Sequence, residues 1–243
     1  MIKTPIRELK TKARILLDGK YGFFVLITFI LMTAQYALNA VIDYAFPISA
    51  ANGSSLLYFS CSLLSNILYI ILFAGACRIY LNRIRGIESQ QYDLFFGFVN
   101  QPEHLALYAA IRFLLSFALS ETWNRCSGQL FSGKMDFSFF MALLILLLIS
   151  VIVLYLYLTF SLSIFLYCDH PEKPAAQLLR ESNELMHGNR GRLLYLKLSF
   201  IGISLLGVLS FGIGLLFIEP YFNLTQALFY ESLNTSENDT FGK

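Results

Sequence analysis

Two charged side chains stand where charge is expensive. Arg112 lies in the middle of the apolar stretch His104–Ser120, and Glu219 lies in the apolar run Leu193–Tyr230, directly before Pro220. A charge at the centre of a bilayer costs about 2.5–3.5 kcal/mol on insertion scales, so such residues face a bundle interior or a wet cavity. Counting helical rise, Arg112 is roughly 12 Å from the inner end of its stretch and Glu219 roughly 16 Å from its own. Depths that close permit an ion pair. Pro220 frees a backbone carbonyl beside Glu219, as broken helices do in transporters. Asn66, in another apolar stretch, completes a candidate intramembrane polar site. Gln35, Asn39, Asn223 and Gln226 are further polar groups at that depth, suited to hydrogen bonds between helices. The structural alternative for Arg112 and Glu219 is a buried pair that fixes helix register, or two side chains snorkelling to opposite interfaces.

Other chemistry is not signalled. No H-E-x-x-H accompanies His104, His170 and His187, and no G-x-S-x-G or phosphate-binding glycine loop occurs. Cys61, Cys77, Cys126 and Cys168 form no C-x-x-C pair, which points to small apolar packing residues rather than zinc or a disulfide framework. Glu181 and Glu184 share a helix face, and a solvated face explains them. The expectation is a non-enzyme with no metal and no cofactor.

The elements that position these residues follow from composition. The 243 residues are 56% hydrophobic and only 14% charged, against about 25% charged in soluble domains. Such a surface faces lipid. The expected fold is all-α: one domain, a polytopic membrane bundle of about six spans, five being the alternative, with short cytoplasmic interfacial helices.

Thr4 as N-cap and Pro5 as first helical residue open a basic helix within residues 1–20, stopped by Gly19. Its apolar face would rest on an anionic leaflet. Spans are expected at Gly22–Ile42, Leu56–Leu81, His104–Ser120 and Phe137–Cys168. The first is too long for a secretory h-region, although Ser49-Ala50-Ala51 would suit cleavage. The last holds no Gly or Pro and extends roughly 48 Å, so it must tilt or project. Residues 82–103 form a polar loop whose Leu94-Phe95-Phe96 and Phe98 dip into the interface or dock on the bundle. Glu121–Asp136 is an outer loop, and an amphipathic cytoplasmic helix covers residues 175–188. Leu193–Tyr230 divides at Ser210-Phe211-Gly212 into Leu193–Leu209 and Ile213–Tyr230, or is a single span ending at Pro220. Residues 234–243 are a flexible polar tail.

With both ends inside, and Arg112 aside, every Lys and Arg except Arg125 and Lys134 falls on the inner side. The positive-inside rule therefore puts the N-terminus in the cytoplasm.

Three blocks carry a resemblance: RELKTKARILLDGKYG at Arg7–Gly22, GACRIYLNRIRGIESQQYDLFFGF at Gly75–Phe98, and DHP at Asp169–Pro171 with ESNELMHGNRGRLLYLKLSFIG and GIGLLFIEPYFNLTQALFYESL. Together they resemble the DUF975 family of bacterial integral membrane proteins of unassigned function. The resemblance implies a helical domain in the bacterial cytoplasmic membrane and no reaction. In that family a Pro-Gly break usually interrupts the fourth span, where this chain has Ile152-Val153, and an apolar residue usually stands at the position of Glu219.

The functional expectation is contact with partners or lipids. The partners are membrane lipids of the anionic inner leaflet and an unidentified protein, not nucleic acid. Candidate cytoplasmic contact residues are Arg83, Arg85, Phe95, Arg180, Leu185, Arg190 and Arg192. The alternative is a small transporter or lipid-handling protein with its site at the Arg112/Glu219 level.

Overall fold

The computed structural model describes residues 4–46, 55–131 and 136–241, and for residues 55, 125 and 236–241 the backbone alone. Lys3, Pro47, Ser49–Ala51, Asn52-Gly53, Lys134 and Lys243 lie outside the described residues. Within them the chain is helical, with no strand: α1 Ile6–Leu17, α2 Tyr21–Ala45, α3 Ser55–Ile84, a 3-10 turn Gln91–Phe95, α4 Phe96–Val99, α5 Pro102–Phe131, α6 Phe137–Thr159, α7 Ser163–Asp169, α8 Ala175–Met186, α9 Arg190–Leu209 and α10 Ile213–Phe241.

Five segments are long and apolar enough to cross a membrane: α2, α3, α5, the α6–α7 run and α9. The expected sixth span is a helix of another kind. Glu219, Pro220, Asn223 and Gln226 interrupt α10, and its stretch Leu224–Leu233 is mostly buried against α1, α2 and α3. Polar residues are tolerated there because the helix faces protein rather than acyl chains.

Several boundaries differ from expectation. Pro5, not Thr4, caps α1: its φ of −66° and ψ of 143° are extended, and its carbonyl takes the first helical bonds from Glu8 and Leu9. The apolar face of α1, Leu9, Ala13 and Leu17, is buried against α10 instead of resting on a leaflet. Helix α5 begins at Pro102, a favoured first position, and runs through most of the expected outer loop to Phe131. Helix α6 continues unbroken through Ile152-Val153 and stops at Thr159. There Thr159 and Ser161 hydroxyls bond back to Tyr155 and Leu158 carbonyls, and Ser182 of α8 takes the Thr159 carbonyl at 2.7 Å. Side chains thus satisfy the backbone where the helix ends. The expected break at 210–212 is present, with Phe211 and Gly212 both at positive φ.

The buried core sits at one end of the bundle. It comprises the start of α2, the end of α3, α7, α8, the start of α9 and the second half of α10. Toward the other end, α2 beyond Leu31, α6 before Tyr157 and α9 beyond Phe200 expose mostly apolar side chains. A water-facing surface of that kind would aggregate; one that faces acyl chains is at ease.

Candidate functional site

Arg112 stands half-buried on α5 where α5 packs on α6. Beside it is a cavity of about 180 Å³ walled by Tyr108, Ile111, Leu115, Val153, Leu156 and Phe160, with Tyr157 also at its edge. The end of α6 at Thr159 fixes this wall, because Tyr157 occupies its last turn. Tyr108 and Tyr157 share that cavity wall with Arg112.

Arg112 and Glu219 do not form an ion pair; the ion pairs among the described residues involve other groups. Both α5 and α10 pack on α3; beyond it α5 lies against α6, and α10 against α9, α1 and α2. Lys197 of α9 is a through-space positive charge for Glu219, with no ion-pair contact between the two. The Lys197 Nζ is buried without a hydrogen-bond partner among the described residues, 4.2 Å from the Tyr157 ring centre and 5.4 Å from that of Phe222. Tyr157 therefore stands between two cations. Lys197 and Tyr157 escaped the sequence reading, although Leu193, Leu196 and Phe200 mark the buried face of α9 at spacings that include Lys197.

Asn66 lies elsewhere, on α3, with its Oδ1 buried and unpartnered among the described residues. Near it the α2–α3 seam is joined by Ser65 donating to Asn39 at 3.3 Å, the interhelical bonding expected of such groups.

At the end of the bundle that holds the core, the candidate contact residues divide. Arg83 donates Nε to the Leu16 carbonyl at 2.8 Å, tying α3 to the end of α1. Arg85 holds Asp169 in a bidentate pair at 2.6 and 2.9 Å and Glu231 at 2.8 Å, clamping α3, α7 and α10 together. Tyr230 adds a bond to Asp169 at 2.7 Å. Hydrogen bonding to Asp169 holds the Arg85 guanidinium well above its ordinary value, against burial, so it stays charged. Arg190 bonds Asn183 and stacks over Tyr155 at 4.6 Å; Arg192 donates to the Thr4 carbonyl at 2.6 Å. These four side chains hold the bundle together. Phe95 is exposed, Leu185 is half-buried, and Arg180 is 81% exposed beside Glu184. Asp169 and Glu231 were missed as partners because their place opposite Arg85 depends on tertiary packing.

The loop after α3 docks through glycines. A Cβ on Gly75 would run into the Leu94 backbone, and one on Gly97 would lie 2.5 Å from the Ile71 carbonyl oxygen. The small residues 74–76 thus serve close packing of the 3-10 turn and α4 on α3.

These features define an all-α bundle with five helices long and apolar enough to span a membrane. The chain belongs to the family described as protein of unknown function (DUF975), whose model matches residues 1–237. Comparison with curated proteins gives no match, and neither does comparison with solved structures.

Proposed function

We propose that this chain is a non-enzymatic, multi-pass protein of the bacterial cytoplasmic membrane, N-terminus inside, that holds an anionic lipid between α5 and α6. The cavity beside Arg112 carries the reading: its walls are mostly apolar and aromatic, with one guanidinium and the hydroxyl of Ser116, which bonds back to the Phe113 carbonyl, among them. A path for a hydrated substrate needs polar groups along its length. A hydrocarbon slot with a cation suits part of an acyl chain whose phosphate stays near the Arg. Lys197, behind Tyr157, adds a second positive charge at that level.

Native mass spectrometry of protein released from mild detergent tests this. The unaltered chain is expected to retain an anionic phospholipid. Arg112→Leu, which keeps the seam apolar, is expected to lose that species at least about tenfold, the ratio for one charge-assisted hydrogen bond, with little change in unfolding temperature. Equal retention by both sinks the reading. A second reading, contact with a partner protein at the inner face, draws on the exposed Tyr92, Phe95, Phe98 and Val99. It requires that Arg112→Leu leave retention unchanged.

A further inference from the structure

We infer that α9 and the first turns of α10 form a re-entrant hairpin, which enters the bilayer from the cytoplasmic side, ends among the acyl chains and turns back without crossing. This rests on the reading of the chain as a membrane protein with its N-terminus inside, but not on a lipid held beside Arg112. Helix α9 is long enough to cross, yet its first half carries Arg190, Arg192 and Lys197. The remainder, Leu198–Leu209, extends roughly 18 Å, against a hydrocarbon core about 30 Å thick. Apolar stretches that short suit re-entrant segments better than spans.

Both limbs of the hairpin are tied to one end of the bundle. Arg192, in the first turn of α9, lies over the Phe229 ring of α10 at 5.4 Å. Glu231, just beyond Phe229, meets Arg85 at the end of α3 at 2.8 Å. If α9 crossed, α10 would have to cross back and carry Glu219, Asn223 and Gln226 through the core. Two neighbours serve as rulers. Tyr21, the first residue of α2, donates its hydroxyl to the Phe217 carbonyl and stacks on the Phe217 ring at 6.3 Å. From that level α2 continues roughly 36 Å to Ala45, while α10 has roughly 6 Å left between Phe217 and Ile213. On α6, Tyr157 meets the Lys197 Nζ at 4.2 Å. From there α6 has roughly 30 Å to its far end at Phe137, and α9 roughly 18 Å to Leu209. By both measures the hairpin stops well short of the far ends of its neighbours.

The turn itself is built for a dry setting. No charged residue lies between Lys197 and Glu219, whereas the far ends of α2 and α6 carry Asp43 and Asp136. Phe211, at the tip, is 99% exposed, and Leu209 and Ile213 beside it are exposed as well. Acyl chains cover such a tip; water would not. The polar groups of the turn are met from within. The Gly214 amide donates to Ser210 Oγ at 2.8 Å, and that hydroxyl donates to the Gly207 carbonyl at 2.7 Å. The Ile213 and Leu215 amides donate to the Ser210 and Gly212 carbonyls. Backbone held away from water requires such partners. A Cβ on Gly214 would lie 2.7 Å from the Gly207 Cα, so the limbs touch backbone to backbone just before the turn.

Trp123 is the single tryptophan of the chain. Combining Trp123→Phe with Phe211→Trp moves the only indole to the tip. The full chain is reconstituted in bilayers whose phospholipids carry bromine either beside the glycerol or near the ends of the acyl chains, and the loss of fluorescence is read. The greater loss is expected with bromine near the chain ends. A greater loss with bromine beside the glycerol places the tip at an interface and overturns the proposal while the membrane reading stands; no loss with either lipid sinks both. Phe211→Cys supplies a second measurement in cells. A membrane-impermeant maleimide is expected to label it no more than the unaltered chain, in intact and in opened cells alike, until the protein is denatured. Labelling above that level before denaturation, from either side, overturns the proposal.

Discussion

Lys197 shows how a cation is kept inside an apolar bundle. Its stem lies on the buried face of α9, its Nζ meets the faces of Tyr157 and Phe222, and the Glu219 carboxylate acts on it from beyond contact distance. A cation over a ring gains about 0.5–2 kcal/mol, which does not offset desolvation without a carboxylate nearby. Glu219→Gln is therefore expected to destabilise the fold by about 1–2 kcal/mol, the size of a through-space attraction without contact. Lys197→Met combined with Glu219→Gln is expected to recover most of that loss, as measured by denaturant unfolding in detergent. Additive effects of the two substitutions would separate Lys197 from Glu219. Sequence spacing indicates the depth of Glu219 and Arg112 but not the direction each faces around its helix, which is why an ion pair with Arg112 was expected and none is formed.

At the scale of elements, the contact between α3 and the 3-10 turn is set by the absence of one side chain. Gly75→Ala forces the Leu94 backbone away, an overpacking cost of about 1–3 kcal/mol or more. Gly202→Ala, where a Cβ meets nothing within 4 Å, is the matched control and is expected to be neutral or to gain about 1 kcal/mol of helix propensity. Thermal unfolding, with protease cleavage in the segment 86–90, reads both; equal effects would refute the close approach. The turn at 210–212 was legible because Gly212 adopts a left-handed φ and the apolar run is longer than one bilayer crossing. The end of α6 was not, because it depends on Ser182, some twenty residues further on, reaching the Thr159 carbonyl. A serine in an amphipathic helix carries no mark of that role in its own neighbourhood.

Across the whole molecule, the consolidated core and most cations share one end, and the apolar far half is left to its surroundings. In the function proposed above, that end faces the cytoplasm, as the positive-inside rule predicts. Arg180→Cys puts a thiol at an exposed position there. A membrane-impermeant maleimide is expected to label it only after the cells are opened; labelling of intact cells would reverse the orientation. Hydropathy marked about six crossings, one more than the five helices found long and apolar enough, and the inward place of α10 was not legible, since burial in protein and burial in lipid leave similar apolar residues. That place bears on biosynthesis. The helix that α1, α2 and α3 pack around emerges from the ribosome after all of them, so in the membrane protein proposed above the early segments wait in the bilayer with the faces that α10 will cover left bare. A nascent chain stalled before Leu224 would present those faces to quality-control proteases.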